Sequence, residues 1–374
     1  MKRFALFVVF FLFPLIASAA DKFPVAEGLE PYIKNGELPG VVTIIADKDG
    51  VLQFDAVGYA DIESQRPMKA DTMFWIASQT KPVTAVAAMI LVDDGKLSLT
   101  EPVTKYMPEL NGLRVIAEKD DNRTVLVPVD KPITMKMLLS QTAGFEFLTP
   151  FHARHKIDSQ PLPQVVTTAL MTPLKTQPMT EYSYSNIGIS VAGAIVERIA
   201  GMPFEEFLAK RIFEPLGMTQ TTFFPNADQL GRLATPYAFD KEKGKLVAIQ
   251  APYLTYPLDS RHRFAEPGGG LFSTANDLTK LFQMLLRNGE FNGKRILSEA
   301  AVKEIHTRHT EPFPAHYGLC VQTHGGIYGH GGALGTETII NLNNGRVLLY
   351  FIQQQGLEKY PESKKKFYDI GNQP

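Results

Sequence analysis

The chain has 374 residues, of which 44% are hydrophobic, a composition that suits one large globular domain or two lobes sharing a site. Its 38 basic and 39 acidic side chains give a net charge of -1, so charge offers no reason to expect a nucleic acid or an acidic surface as partner. The single cysteine, Cys320, excludes an intramolecular disulfide, and we expect it to be a buried, small apolar residue.

The N-terminus has the pattern of a secretory signal peptide over residues 1–20. Lys2 and Arg3 precede an apolar run over 4–16, and small residues follow at 17–20. The run is shorter than the roughly 20 residues that span a bilayer, although a membrane anchor is the competing interpretation. We expect cleavage, a secreted or periplasmic location and no stable membrane anchor afterwards, which leaves 21–374 as a single domain.

Strand signals stand near both ends of this domain. Apolar and β-branched runs separated by turn residues predict strands at 41–45, 51–54, 338–342 and 346–351. Asn343-Asn344-Gly345 is a strong hairpin signal because Asn and Gly tolerate positive φ. We predict an α+β fold, with a central antiparallel β-sheet flanked by helices and a mostly helical second lobe. The α/β lobe would comprise approximately 21–77 and 260–374, and the helical lobe approximately 78–259.

The middle of the chain is mainly helical. Apolar residues recur at helical spacing over 83–94, 187–200 and 204–213. Asn276 or Ser273 would cap a further helix that ends near residue 289. The stretches 145–180 and 220–265 are rich in proline and aromatic residues, and loops of that length are usually functional or contain small elements.

Ser78 and Lys81 form the first candidate motif. Three residues apart at the start of a helix, they share one face. A serine hydroxyl becomes a good nucleophile when a base takes its proton, and a lysine shielded from water can be that base. Ser363-Lys364-Lys365-Lys366 has the same spacing, but Ser78 follows an apolar run and precedes an apolar helix with Pro82 in its first turn. A capping serine with an exposed lysine is the alternative interpretation.

Tyr184 and Asn186 form the second motif, directly before the predicted helix 187–200. Two residues apart in an extended turn, they project in the same direction. A phenol beside a cation can shed its proton and pass it between nucleophile and leaving group, while the amide of Asn186 can orient the lysine and a substrate carbonyl. The alternative is that Asn186 caps the next helix and Tyr184 merely packs.

The third motif is Tyr328-Gly329-His330-Gly331-Gly332-Ala333, shortly before the closing hairpin. A cation followed by glycines on an edge strand lets a substrate backbone approach closely. A free backbone N–H here could contribute to an oxyanion hole. The alternative is a glycine-rich bend with an incidental histidine.

In this order the three motifs resemble the serine β-lactamase and DD-peptidase superfamily, and most closely its branch of class C β-lactamases, D-stereospecific peptidases and related esterases. The signatures of that branch are Ser-x-x-Lys, Tyr-x-Asn and a Lys/His-x-Gly strand, which fall here at 78–81, 184–186 and 330–332. The segments 138–144 and 267–275 also resemble the family. The resemblance therefore covers roughly 40–355.

The resemblance implies a serine hydrolase of β-lactamase/transpeptidase-like fold, with no cofactor and no metal. Ser78 would form an acyl-enzyme while Lys81 and Tyr184 exchange its proton, and Tyr184 would then activate the water that releases the acyl group. The N–H groups of Ser78 and Ala333 would hold the oxyanion. The substrate would be contacted by Asn186, His330, Gly331, Gly332 and Ala333.

The third motif departs from the pattern of β-lactamases, which have Lys-Thr-Gly where this chain has His330-Gly331-Gly332. The lysine charge and threonine hydroxyl bind the carboxylate of β-lactams, whereas histidine carries a charge that depends on pH and glycine has no hydroxyl. We therefore expect esters or D-alanyl peptides to be better substrates than β-lactams. The substrate is a small molecule or a peptide of one of these three kinds.

Two interpretations from other classes compete with a serine hydrolase. His152/His155 and His306/His309 are spaced three apart and could share a metal, but neither pair has the intervening glutamate of a zinc-binding helix, and we interpret them as surface residues. A non-catalytic protein that binds cell-wall peptides is the second alternative. Such a protein has no need of Ser78, Lys81, Tyr184 and Asn186 together.

Overall fold

A computed structural model describes residues 23–356 and 361–373, so the predicted signal peptide lies outside the described residues. The strands, in chain order, are β1 (Gly40–Asp47), β2 (Val51–Asp61), β3 (Arg66–Pro67), β4 (Phe74–Trp75), β5 (Arg114–Lys119), β6 (Thr124–Pro128), β7 (Tyr237–Asp240), β8 (Lys245–Ala248), β9 (Phe272–Ser273), β10 (Glu290–Phe291), β11 (Lys294–Arg295), β12 (Gln322–His324), β13 (Ile327–Gly331), β14 (Glu337–Asn341), β15 (Arg346–Phe351) and β16 (Gln354–Gln355).

The α-helices are α1 (Val25–Lys34), α2 (Thr80–Asp93), α3 (Met135–Leu139), α4 (Pro150–Arg154), α5 (Leu162–Leu170), α6 (Asn186–Ala200), α7 (Phe204–Leu208), α8 (Glu214–Leu216), α9 (Ala227–Gly231), α10 (Ala275–Leu286), α11 (Glu299–His306) and α12 (Pro361–Gly371). A π-helical turn at Ala209–Phe213 joins α7 to α8. Within the described residues, no single helix is long and apolar enough to cross a membrane. The two helical segments Asn186–Ala200 and Phe204–Leu216 reach that length and apolarity only when taken together, and they are bent by 75° relative to each other.

Both predicted hairpins belong to one antiparallel sheet, as expected from the sequence. Among the described strands the order is β12-β13-β14-β15-β1-β2-β3, and β1 pairs with β15 across the two ends of the chain. Strand β1 is buried almost throughout because both faces of the sheet are covered. Val41 and Ile45 pack on one face with α1 and α12, whereas Val42 and Ile44 pack on the other face with the main core. The predicted α+β fold is confirmed.

The helical predictions hold with small shifts at their ends. The segment 83–94 lies within α2 apart from its last residue, which is the C-cap, 187–200 lies within α6, and 204–213 covers α7 and the π-helical turn. The predicted cap of α10 was wrong. Thr274 caps this helix by accepting a hydrogen bond from the Asp277 N–H.

The two stretches that the sequence left unassigned contain short elements. Residues 145–180 include α4 and α5, and residues 220–265 include α9, β7 and β8. Strand β7 pairs in parallel with β16 near the C-terminus, so a three-stranded sheet joins segments from both predicted lobes. That division into lobes remains a prediction.

Candidate active site

Ser78 lies in a short turn between β4 and α2. The pairing of β4 with β9 fixes the approach to this turn, and the Trp75 indole N–H donates to the Gly269 carbonyl at 2.7 Å. Ala77 then has φ +47°, a strained conformation for a residue with a Cβ. The turn leaves Ser78 half-buried, and its side chain caps no helix. The capping alternative is therefore wrong for Ser78.

Lys81 is completely buried, with 0% exposure. Its Nζ lies 2.6 Å from Asn186 Oδ1, 2.6 Å from the Gly268 carbonyl oxygen and 3.2 Å from Ser78 Oγ. Burial lowers the pKa of Lys81 to about 7, against the opposing charge of Glu266. The exposed lysine of the alternative interpretation is not found.

These three contacts suit a neutral amine. Asn186 Oδ1 and the Gly268 carbonyl can only accept hydrogen bonds, so they take the two N–H groups of an uncharged Lys81. The remaining lone pair then faces Ser78, whose hydroxyl can donate to it. The arrangement places a base at the serine and leaves no N–H group or lone pair of the amine without a hydrogen-bond partner.

Tyr184 and Asn186 both face Lys81, as their spacing predicted. Ser185 is the actual cap of α6, since its Oγ accepts a hydrogen bond from the Gly188 N–H at 2.9 Å. The Asn186 amide is thereby available to Lys81, and the alternative in which Asn186 is the cap is wrong.

Tyr184 contacts both members of the first motif. Its ring centroid lies 4.6 Å from Lys81 Nζ, and its hydroxyl is close enough to the Ser78 side chain to be influenced by it. Burial raises the pKa of Tyr184, while the interaction with Ser78 opposes that shift. The expectation that this phenol sheds its proton is not supported, and the geometry favours a neutral hydroxyl that relays a proton.

The segments 138–144 and 267–275 hold these motifs in place through hydrogen bonds. Gln141 accepts the Ser183 N–H with its carbonyl and the Ser185 N–H with its side chain, both at 2.8 Å. The turn at 266–270 supplies the Gly268 carbonyl that contacts Lys81, and Thr84 Oγ1 donates to the Pro267 carbonyl at 2.8 Å. Each segment thus positions residues that are remote in sequence.

His330 is not a cation, and that expectation is corrected. The expected edge strand is found only locally, because β12 covers β13 along Ile327–Gly329 and ends before His330, which among the described strands is paired only with β14. His330 is 4% exposed, and burial together with the charge of Lys81 lowers its pKa to about 3. Since the Gly331 carbonyl can only accept, His330 Nδ1 donates to it at 2.7 Å, and Nε2 accepts from the Tyr317 hydroxyl at 3.0 Å. Neither nitrogen is left for a substrate.

The glycines after His330 differ in the space around them. A Cβ on Gly332 would lie 2.4 Å from the Ile76 carbonyl oxygen, so glycine is needed to bring this turn against the chain before Ser78. A Cβ on Gly331 would have no neighbour closer than 3.8 Å. Beyond them Ala333 is exposed, and its N–H donates to no backbone group of the described residues. This N–H is therefore available for an oxyanion.

Sequence reasoning missed four residues of the site. Glu266 lies buried beneath Lys81, and Tyr317 holds His330. Phe147 stacks on Tyr184 with ring centroids 6.1 Å apart, and Tyr253 meets Phe147 edge-on at 6.3 Å. An acidic residue directly before the glycine-rich segment 267–270 was the available signal for Glu266. Phe147 and Tyr253 had no signal beyond lying in the unassigned stretches, and Tyr317 had none.

The paired histidines, His152/His155 and His306/His309, differ in their surroundings. No cluster of three or more metal-ligating side chains occurs in residues 23–356 and 361–373. The surface interpretation was nevertheless wrong for His152, which is 4% exposed and bonds Thr149 Oγ1 at 2.7 Å. It was also wrong for His309, whose ring is largely buried next to Glu304.

The antiparallel sheet, the helical layer and the serine between β4 and α2 define the β-lactamase/transpeptidase fold. EstCE1, a hydrolase with promiscuous acyltransferase activity, shares that fold with a TM-score of 0.79 at 23% identity, over 93% of this chain and 97% of that one. A family model described as Beta-lactamase matches residues 25–372. The chain belongs to this family of serine hydrolases.

The curated relatives include esterases, an acyltransferase and a putative D-alanyl-D-alanine carboxypeptidase. An uncharacterized protein of Mycobacterium tuberculosis is 37% identical over 73% of this chain and 68% of its own length. Lovastatin esterase of Penicillium rubens is 32% identical over 75% of this chain and 71% of its own length. The family is therefore established, and the relatives span several acyl-transfer activities.

Proposed function

We propose that this protein is a serine esterase in which Ser78 forms an acyl-enzyme, Lys81 is the general base and Tyr184 relays protons. The contacts of Lys81 carry the proposal. Its Nζ is buried between two acceptors and lies 3.2 Å from Ser78 Oγ, and its pKa of about 7 leaves much of it neutral at physiological pH.

In the first half of the reaction, the Ser78 proton moves to Lys81 Nζ as Oγ forms a bond with the ester carbonyl carbon. The N–H groups of Ser78 and Ala333 stabilise the resulting oxyanion. When the carbon–alkoxide bond breaks, the proton on Lys81 passes through the Tyr184 hydroxyl to the leaving oxygen. An acyl-enzyme and a free alcohol result.

The second half repeats these transfers with water. A water molecule gives its proton through Tyr184 to Lys81 and attacks the acyl carbon. Collapse of the second oxyanion breaks the bond to Ser78 Oγ, which recovers the proton from Lys81. The products are a carboxylic acid and the starting enzyme, so no cofactor is required.

The surroundings of the site favour an uncharged, apolar ester. His330 is neutral with both nitrogens bonded within the protein, and Gly331 offers no hydroxyl, so a substrate carboxylate finds no cation there. Phe147 and Tyr253, 39% and 36% exposed, present aromatic surface beside Tyr184. The name of lovastatin esterase, at 32% identity, agrees with an ester. D-alanyl peptides rank second and β-lactams third.

The location we propose is outside the cytoplasm, after removal of residues 1–20. Its support is the sequence pattern of a basic start, an apolar run and small residues. The N-terminal residue of the mature protein, determined by mass spectrometry on periplasmic and medium fractions, tests this. Recovery of intact Met1 in a membrane fraction would instead favour the anchor.

Purified protein assayed with three chromogenic probes tests the proposed activity. These are a short-chain aryl ester, a D-alanyl anilide and a cephalosporin, each also assayed with Ser78→Ala. We expect the highest kcat/KM with the ester and its loss in the variant. Faster turnover of the cephalosporin would contradict the substrate preference. Binding of D-alanyl peptides without turnover of any probe would favour the non-catalytic alternative.

A further inference from the structure

Glu266 is a buried carboxyl group directly below the proposed base. The residue is 2% exposed, and it forms no ion pair with any described residue. Its Oε1 accepts the Gly268 N–H at 2.8 Å, and Ser190 Oγ lies 2.9 Å from Oε1 and 3.0 Å from Oε2. Keeping a carboxyl group in such a place is costly unless its charge or its hydrogen bonds are used.

Two short paths lead from Glu266 to Lys81. Through Gly268, the carboxyl holds the N–H of the residue whose carbonyl accepts from Lys81 at 2.6 Å. Through Ser190 it approaches the main chain of Asn186, because Ser190 Oγ also lies 3.0 Å from the Asn186 main-chain carbonyl oxygen. The carboxyl group therefore fixes one acceptor of Lys81, the Gly268 carbonyl, and a protonated Glu266 is also linked through Ser190 to the backbone of the residue that carries the other acceptor.

The carboxyl group of Glu266 is tightly packed against Gly268. A Cβ on Gly268 would lie 2.8 Å from Glu266 Oε1 and 3.0 Å from Asn186 Oδ1. A displaced carboxyl would therefore move the Gly268 carbonyl relative to Lys81 Nζ. Positioning within a few tenths of an ångström matters for proton transfer.

The charges around Glu266 and Lys81 also indicate that Glu266 acts on Lys81. Glu266 is the carboxylate that acts on Lys81, and it favours the ammonium form, while burial raises the pKa of Glu266 itself to about 7. The other titratable groups facing the pair are Cys320, Tyr184, His330 and Asp158, the last paired with Arg263 at 2.7 Å. Burial raises the pKa values of Cys320 and Tyr184 and lowers that of His330, so these three are uncharged near neutral pH.

We infer that Glu266 is a positioning residue for Lys81: it holds the turn whose Gly268 carbonyl accepts from the amine, and its carboxylate stabilises the positive charge that Lys81 gains when it takes the Ser78 proton. The inference deepens the proposed function and rests on it. The Ser190 hydroxyl suits both states of the carboxyl, since it can donate to the carboxylate or accept from the acid while donating to the Asn186 carbonyl. The pair titrates as a unit.

Glu266→Gln is the decisive variant because the amide keeps an oxygen for the Gly268 N–H and removes only the charge. We expect the acidic limb of the kcat/KM profile to move to lower pH by about one unit, because Lys81 loses the carboxylate that favours its ammonium form. The limiting kcat should fall several-fold because the base is weaker. Glu266→Ala should lose more activity, since it also releases Gly268.

Asp277→Asn is a matched control. Like Glu266, Asp277 is buried and accepts from a backbone N–H and a side-chain hydroxyl, here those of Gln220 and Thr221, but it lies at the start of α10 and also pairs with Lys280 at 2.9 Å. It should leave the pH profile in place. A Glu266→Gln profile that coincides with wild type, at equal kcat, would overturn the inference.

A second measurement does not depend on turnover. The 13Cε resonance of Lys81, identified by its loss in Lys81→Met, can be titrated in the full chain carrying labelled lysine. Its midpoint should fall by about one unit in Glu266→Gln and stay unchanged in Asp277→Asn. If no probe is hydrolysed, the proposed esterase fails while this titration still decides whether Glu266 controls Lys81; an unchanged midpoint rejects that control.

Discussion

Ser78–Lys81 and Ser363–Lys366 have the same spacing in quite different surroundings. The first pair begins α2, where Lys81 is fully buried and bonds Asn186 and Gly268. The second lies on α12, where Ser363 packs against the opposite face of the sheet, its Oγ 2.7 Å from the Tyr350 hydroxyl, and Lys366 is exposed. Burial disfavours the ammonium form, so only Lys81 is placed to take a proton from its serine. The contrast shows that environment, and not spacing, distinguishes the two pairs, and the proposed reactivity of Ser78 rests on that difference.

The largest expected effect separates the two serines. Ser78→Ala removes the nucleophile and should lower kcat/KM for the best ester on the order of 10⁴-fold or more. Ser363→Ala should leave kcat/KM within about twofold, although it costs a buried hydrogen bond and about 1 kcal/mol of stability. Intact-mass spectrometry after a serine-reactive phosphonate should show one adduct, at Ser78. An adduct that still forms on Ser78→Ala would contradict Ser78 as the nucleophile.

The second test compares the two lysines. Lys81→Ala and Tyr184→Phe should each lower kcat by roughly 10³-fold, while the matched Lys366→Ala should have no effect. The double variant of Lys81 and Tyr184 should be little worse than either single variant, because groups that act as one proton-transfer unit are strongly non-additive. Losses that add fully would show that the two side chains work independently.

A smaller effect tests whether charge can be added near Lys81. His330→Lys with Gly331→Thr should raise kcat/KM for a cephalosporin relative to an ester by roughly ten- to a hundredfold, the worth of a hydrogen bond to a charged group. Gly331 has room for a Cβ, whereas Gly332 does not, so Gly332→Ala is the steric control and should lose activity on all probes. An unchanged substrate ratio would mean that this strand does not limit recognition.

The smallest effect comes from pH. Since Lys81 must be neutral to accept the Ser78 proton and its pKa is about 7, kcat/KM should fall about tenfold from pH 8 to pH 6. The rate falls as the pH falls, because the protonated amine has no lone pair with which to accept the Ser78 proton. Lys366→Ala should show the same profile as wild type. A flat profile between pH 5 and 8 would contradict Lys81 as the base.

Much of the site could be predicted because its motifs are short and local. The spacing of Ser78 and Lys81, and of Tyr184 and Asn186, places each pair on one side of a turn in any structure that begins a helix there. Glu266, Tyr317 and Phe147 could not be found this way. They reach the site from segments whose relative positions depend on long-range packing, as in the contact of Gly268 with Lys81 across 187 residues of chain.

The sequence by itself determined the hairpins at both chain ends, the helices with clear apolar periodicity and the three motifs, because each depends on neighbours within a few residues. Only the tertiary structure decided the protonation states and hydrogen-bond partners of the side chains in the site. Burial between Asn186 and Gly268 lowers the pKa of Lys81, His330 is neutral because burial lowers its pKa and Tyr317 and Gly331 occupy its ring nitrogens, and Ser185 rather than Asn186 caps α6. Desolvation and hydrogen bonding set protonation, and both depend on which distant residues meet.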